Sequence, residues 1–170
     1  MTRVALNDTN ILIDFYEIGL LGALMEIDLE MNTTDFVVAE IMLRNQEKWI
    51  EDLIRQQKLL VNGFSGRELP KVMEKENNNP GLSLTDCSAW YWAEKNGGIL
   101  LTGDAKLRRA AASSGVEVHG SLWLLDEMLR QEVLTKSQAC KAIKKLQQKN
   151  RRLPKKEMNL REKDWCKKED

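Results

Sequence analysis

Ile99-Leu100-Leu101-Thr102-Gly103-Asp104 decides the fold. Three aliphatic residues run without alternation, as a strand covered on both faces requires. Asn96-Gly97-Gly98 before them is a helix stop, and Thr-Gly-Asp after them is a turn into the next helix. Upstream, Ser83 or Thr85 can cap a helix through Ala89, Trp92 and Ala93. Downstream come a helix over Ala105–Ser114, a strand Val116-Glu117-Val118 and a helix from Ser121 to Gln131. The segment is therefore one strand in a strand–helix alternation.

The same unit opens the chain. Val4 to Asn7 form a short strand with Asp8 at its carboxyl end. A helical pattern follows in Ile11, Leu12, Phe15, Ile18, Leu20, Leu21, Leu24 and Met25, broken near Gly19 and Gly22. Thr33-Thr34-Asp35 offers an N-cap for a helix through Val38, Ile41 and Met42. Glu47 to Gln57 is amphipathic, and Leu59-Leu60-Val61 reads as a buried strand. Residues 62–81 are polar, with a helix near Glu68–Lys75 and a loop at Asn77-Asn78-Asn79-Pro80-Gly81. Thr135 can cap a last helix through Ala139, Ile143 and Leu146, ahead of Pro154 and a charged end. This order predicts the α/β class with a mainly parallel sheet. The expected division is a domain over 1–135 and a basic helical extension over 136–170.

Composition narrows the chemistry. At 170 residues, 42% apolar and 31% charged, the chain reads as one globular domain. No apolar run reaches the roughly 18 residues of a membrane span, and the start lacks a signal-peptide core, so a cytoplasmic protein is expected. Cys87, Cys140 and Cys166 are odd in number and widely spaced, which argues against cysteine-bound zinc and against a disulfide framework. His119 is the sole histidine, so catalytic chemistry falls to oxygen atoms.

The formal net charge of zero hides an asymmetry. Residues 1–135 carry 13 Lys/Arg against 21 Asp/Glu, and residues 136–170 carry 13 against 5. A basic tail on an acidic body can contact an anionic polymer. It can equally be a solvated helix, or fold over its own acidic body.

Four carboxylates stand where apolar runs meet turns or helix starts: Asp8, Glu40, Asp86 and Asp104. Taken singly, each has a plain structural role as a helix cap, a first-turn acid or a solvated helix residue. Together they fall toward one edge of the expected sheet, and ligands of such sheets gather beyond the carboxyl ends of the strands. Clustered carboxylates repel unless a hard cation lies between them, which points to metal-dependent phosphate chemistry.

The ordered set resembles the PIN-domain family, and within it the toxin-like bacterial and archaeal members. The matching stretches are Asp8-Thr9-Asn10-Ile11-Leu12-Ile13-Asp14, Val37-Val38-Ala39-Glu40-Ile41, Leu82-Ser83-Leu84-Thr85-Asp86 and Ile99-Leu100-Leu101-Thr102-Gly103-Asp104, continuing to Gly120-Ser121-Leu122-Trp123. The resemblance implies a three-layer α/β/α fold and a nuclease that cuts RNA, less often DNA, with Mg²⁺ or Mn²⁺. It implies Asp8, Glu40, Asp86 and Asp104 as the acidic quartet, with Thr102 supporting it and Thr9 or Asn10 beside Asp8. It also implies a homodimer held inactive by an antitoxin protein. Asn7 departs from the family, where an apolar or small residue is commoner.

Phosphodiester hydrolysis gives these residues distinct tasks. Asp8, Asp86 and Asp104 are expected as metal ligands, and Glu40 as an orienter or general base acting through water. Thr102 and Asn10 would lie behind them. Asp14 and Asp35 are further acids, with Asp35 better read as a helix cap. Lys106, Arg108 and Arg109 follow Asp104 and can meet phosphate oxygens, or simply form a solvated helix face. Trp90 and Trp92 read as core or interface residues, and His119 as structural. Surplus apolar surface on the early helices, including Phe15, Leu20, Leu21, Met25 and Met42, favours self-association. Two other functions fit less well. One is a noncatalytic module binding RNA or protein; the other is a phosphoacceptor domain, which wants paired acids after the first strand.

Overall fold

A computed structural model describes residues 3–44, 47–149 and 153–167. Strands β1 (Arg3–Asn7), β2 (Leu29–Thr34), β3 (Leu60–Asn62), β4 (Ile99–Leu101) and β5 (Val118–His119) form one parallel sheet in the order β3-β2-β1-β4-β5. Every adjacent pair is parallel, with Ala5 opposite both Met31 and Ile99. The chain grows outward from β1 in one direction through β2 and β3, then returns to add β4 and β5 on the other side. That reversal opens a crevice beyond the carboxyl ends of β1 and β4.

Helices cover both faces, giving three layers. On one face lie α1 (Thr9–Glu17), α2 (Leu21–Leu24), α3 (Asp35–Leu43), α4 (Glu47–Arg55) and α8 (Ser121–Arg130). On the other lie α5 (Leu69–Asn78), α6 (Leu84–Asn96) and α7 (Ala105–Ser113). Strand alternation sorts the side chains between them. Ala5, Met31, Ile99 and Leu101 belong to the first core; Leu6 and Leu100 belong to the second.

Several elements differ from the sequence reading. β2, Leu-Glu-Met-Asn-Thr-Thr, has no counterpart in it, because four of its six residues are polar and propensity disfavours Asn and Glu. The fold makes those polar groups harmless by bonding them. Thr33 Oγ donates to the Asn7 carbonyl (3.0 Å), and Asn62 Nδ2 donates to Asn32 Oδ1 (2.9 Å). β3 is a strand as expected but a half-exposed edge rather than a buried one, with Leu60 41% exposed. β5 lies two residues later than Val116, at Val118–His119.

The C-terminal segment forms α9 (Lys136–Lys149) and a further helix, α10 (Lys155–Trp165). Ala139, Ala142, Ile143, Leu146, Met158 and Trp165 bury into the same core as α1 and α8. Arg161 forks onto Asp126 of α8 (2.6 and 3.0 Å), and Lys149 meets Glu17 of α1 (3.0 Å). The described part of the tail thus folds over the acidic body. Cys140 and Cys166 form a disulfide, contrary to the reading from spacing. The α9–α10 turn brings together cysteines 26 residues apart, which sequence separation cannot reveal. Cys87 is free and buried.

The early helices spend their apolar residues internally. Phe15 and Leu21 are buried, and Leu20 and Met25 pack against the same core. Tyr16 and Leu43 remain exposed. Trp90 is buried on α6, its Nε1 donating to Ser114 Oγ (2.9 Å) with Lys75 Nζ over the ring.

Candidate active site

Asp8 sits at the crevice because β1 ends there and α1 begins. Its backbone is extended, its N–H donates to the Leu101 carbonyl of β4 (3.0 Å), and its Oδ1 caps α1 by accepting from Thr9 N–H (2.7 Å). The residue is 1% exposed. Burial pushes its carboxyl up from 3.8 to about 7, and the nearby charges of Asp86 and Glu40 push the same way. Hydrogen bonds from Thr102 and Thr9 oppose that rise without cancelling it. Asp8, Asp86 and Glu40 therefore share one electrostatic neighbourhood.

Thr102 ties Asp8 to Asp104. Its hydroxyl donates to Asp8 Oδ2 (2.9 Å) and accepts from the Asp104 N–H (3.0 Å). Thr102 is fully buried, and its own N–H donates to the His119 carbonyl (2.9 Å). Asp104 caps α7, with Oδ1 accepting from the N–H groups of Lys106 (2.9 Å) and Leu107 (2.8 Å). Oδ2 is left without a hydrogen-bond donor among the described residues.

Asp86 enters from α6 through a reciprocal cap. Ser83 Oγ accepts from the Asp86 N–H (3.1 Å), and Asp86 Oδ2 accepts from the Ser83 N–H (2.8 Å). Glu40 comes from α3 and is held by Arg44 one turn on (2.7 Å). A buried hydroxyl pair, Thr34 Oγ and Ser88 Oγ at 2.8 Å, fastens the start of α3 to α6. Ser83 was legible in the sequence as a cap. Nothing in the sequence marked Ser88 or Arg44 as bearing on the site.

The other candidates fall around this centre. Thr9 is buried, with an Oγ that has no partner among the described residues, whereas Asn10 is exposed in the first turn of α1. Asn7 is buried behind Asp8; its Nδ2 donates to the Asn32 carbonyl (3.2 Å) while its Oδ1 has no partner there. Asp35 accepts from the Phe36 N–H (2.9 Å), and Thr34 is the residue that caps α3. Lys106 reaches the Pro80 carbonyl, Arg108 donates to the Thr102 carbonyl (3.1 Å), and Arg109 is exposed.

The donor set suits a hard divalent cation: carboxylate oxygens, one of them buried and pushed well above its ordinary pKa by that burial, with neighbouring acids adding to the rise. Asp86 and Asp104 each commit one oxygen to backbone N–H groups and keep the other available. Among the described residues, no three Asp, Glu, His or Cys side chains are grouped to hold a metal as they stand.

The sheet order and the carboxylates at its switch point define the class, and comparison with known proteins agrees. A family model described as a PIN domain matches residues 4–164, so the chain belongs to the PIN-domain family. That match runs through α9 and most of α10. Among solved structures, a PilT N-terminus domain protein from the hyperthermophilic archaeon Sulfolobus solfataricus P2 is similar in fold, at TM-score 0.55 and 18% identity, covering 74% of this chain and 93% of that one. A comparison with curated proteins gave no match. PIN domains are generally nucleases that use divalent metals. No described helix is long and apolar enough to cross a membrane.

Proposed function

We propose that this chain is a metal-dependent endoribonuclease, and that it acts as the toxin of a toxin–antitoxin pair. One observation carries the nuclease reading: a buried carboxylate, Asp8, lies at the sheet's switch point, bonded to Thr102 and repelled by Asp86 and Glu40. A structural cap has no need of that repulsion.

Asp8, Asp86 and Asp104 would hold Mg²⁺ or Mn²⁺, which when bound lowers the pKa of water and offsets charge on the phosphate. Thr102 fixes the Asp8 carboxylate in one orientation through its hydroxyl. Glu40, partly exposed on α3, would accept a proton from the attacking water. Its pairing with Arg44 would orient it between turnovers. The toxin assignment, the homodimer and an antitoxin partner rest on the resemblance of the motifs; Tyr16 on α1 and Leu43 on α3 are among the exposed apolar residues.

The test is cleavage of a mixed RNA pool by pure protein with Mg²⁺, Mn²⁺ or EDTA, beside Asp8→Asn and Asp104→Asn. Metal-dependent cutting that vanishes in both variants is expected. Cutting that persists in EDTA and in the variants would remove the proposal. Binding without cutting would favour the noncatalytic module, whose support is that Glu40, Asp86 and Asp104 already have protein partners.

A further inference from the structure

A cavity of about 440 Å³ opens beside the acidic centre, on the β5 side of the same sheet edge. Gly103 and Ala105, which flank Asp104, form part of its wall. Its size falls within the range of small-ligand sites, about 300–1,000 Å³.

The start of α8 lines this cavity. Gly120 is the N-cap, in extended backbone, and has no side chain to offer the first-turn N–H groups. The N–H groups of Leu122 and Trp123 lie in that first turn, where the helix itself supplies no acceptor. Ser121 is one of the lining residues; it is 1% exposed, and its buried hydroxyl has no hydrogen-bond partner among the described residues. A buried hydroxyl left unpaired is costly, so it marks a place where an acceptor is missing.

A cation lies over this helix end. Arg108 reaches back from α7 to donate to the Thr102 carbonyl (3.1 Å). A Cβ on Gly120 would stand 2.6 Å from Arg108 Nη2, so the glycine is what lets the guanidinium settle on the N-cap. Arg161 lines the opposite wall but is satisfied by Asp126 and Glu157. Among the described residues Arg108 has no carboxylate partner, and Glu157 is the acid among the lining residues. Next to the helix end, the His119 and Trp123 rings stack at 4.0 Å and 10°, and both residues line the cavity.

We propose that this cavity is a phosphate subsite for a nucleic-acid strand. One backbone phosphate sits against the α8 N-terminus, taking hydrogen bonds from the first-turn N–H groups, the Ser121 hydroxyl and Arg108. The adjoining base packs on the His119–Trp123 pair. A strand occupying it would pass directly over Gly103–Ala105 to the carboxylates. The subsite rests on the nucleic-acid reading given above, but it requires no catalysis.

The test uses the metal-free full chain in EDTA. A fluorescent oligouridylate is titrated by anisotropy at several salt concentrations, and inorganic phosphate is titrated while backbone amide shifts are followed. Arg108→Gln should weaken oligonucleotide binding about tenfold and reduce the salt slope by about one. Ser121→Ala should weaken it several-fold. Inorganic phosphate should shift the amides of Ser121, Leu122 and Trp123 and compete with the oligonucleotide. Folded Arg108→Gln with unchanged affinity and slope would overturn the subsite. Phosphate binding with no oligonucleotide affinity would overturn its assignment to nucleic acid. Cleavage with Mg²⁺, run on the same wild-type preparation, addresses the nuclease reading separately: tight Arg108-dependent binding without cutting sinks that reading and leaves the subsite in place.

Discussion

Three strand-to-helix junctions at the carboxyl edge of the sheet have side-chain caps, and a fourth does not. β1 passes to α1 through Asp8, β2 to α3 through Thr34, and β4 to α7 through Asp104. β5 passes to α8 through Gly120. Topology is the same at all four, yet the chemistry is opposite. At Asp8 and Asp104 the helix N–H groups are consumed by carboxylates that also face the crevice, so the edge is negative. At Gly120 the N–H groups stay available and Arg108 lies above them, so the edge there is receptive to an anion. The choice of one cap residue sets the sign of a neighbouring site.

Breaking the acidic half should have the largest effect. Asp8→Asn keeps the α1 cap, since asparagine caps as well as aspartate, but removes the charge. Single-turnover RNA cleavage in Mg²⁺ should fall by about a thousandfold or more, in line with loss of a catalytic metal interaction of roughly 4 kcal/mol. Asp104→Asn should follow it. An intact rate in either would dissolve the distinction between the two halves of the edge.

The same variant should be more stable without metal. Asp8 titrates at 3.8 when unfolded and at about 7 when folded, so the folded state holds its proton more tightly. The unfolded chain therefore binds fewer protons between those values, and stability falls as pH rises from about 4 to 7. The loss is a few kcal/mol at most and levels off above pH 7. Melting curves in EDTA should show wild type losing stability across that window while Asp8→Asn does not. Mg²⁺ should recover wild type above pH 7 and leave the variant nearly unchanged. Parallel pH profiles for the two proteins would contradict the placement of Asp8.

Thr102→Val tests the link between Asp8 and Asp104. It removes a donor to Asp8 Oδ2 and the acceptor for the Asp104 N–H. Leaving those groups unmet should cost about 1–3 kcal/mol in denaturant unfolding. Cleavage should also fall, with the Asp8 pKa moving further up. Gly120→Ser sharpens the basic half with the smallest change. Its backbone is extended, which serine adopts, but its Cβ displaces Arg108 and crowds the Thr102 carbonyl at 3.3 Å. Thermal stability should hold or rise slightly as α8 gains a cap. Oligonucleotide affinity should drop several-fold, measured by anisotropy; retained affinity would mean that Arg108 need not rest on the N-cap.

Much of the acidic half was legible because local rules place it. A buried apolar run ending in Asp, or in Thr-Gly-Asp, is both a strand end and a helix cap, and short-range physics reads both. Asp86 followed from Ser83 in the same way, through the reciprocal cap. β2 escaped notice because Asn32, Thr33 and Thr34 are polar yet buried, each satisfied by hydrogen bonds to groups distant in sequence. The Cys140–Cys166 disulfide escaped for a related reason, since the packing of α10 against α9 brings together cysteines 26 residues apart.

What the sequence determined by itself is the alternation of strands and helices, the parallel class, and the position of Asp8, Asp86 and Asp104 at element boundaries. These depend on periodicity and capping, which act over a few residues. Tertiary structure alone decided that Thr102 bonds Asp8, that burial and then the nearby Asp86 and Glu40 raise its pKa, and that α9 and α10 join the main core. It alone brought Arg108 over Gly120 and left the Ser121 hydroxyl buried and unpaired. Those facts depend on contacts between residues far apart in the chain, and on burial that strengthens charge interactions only once the chain has folded.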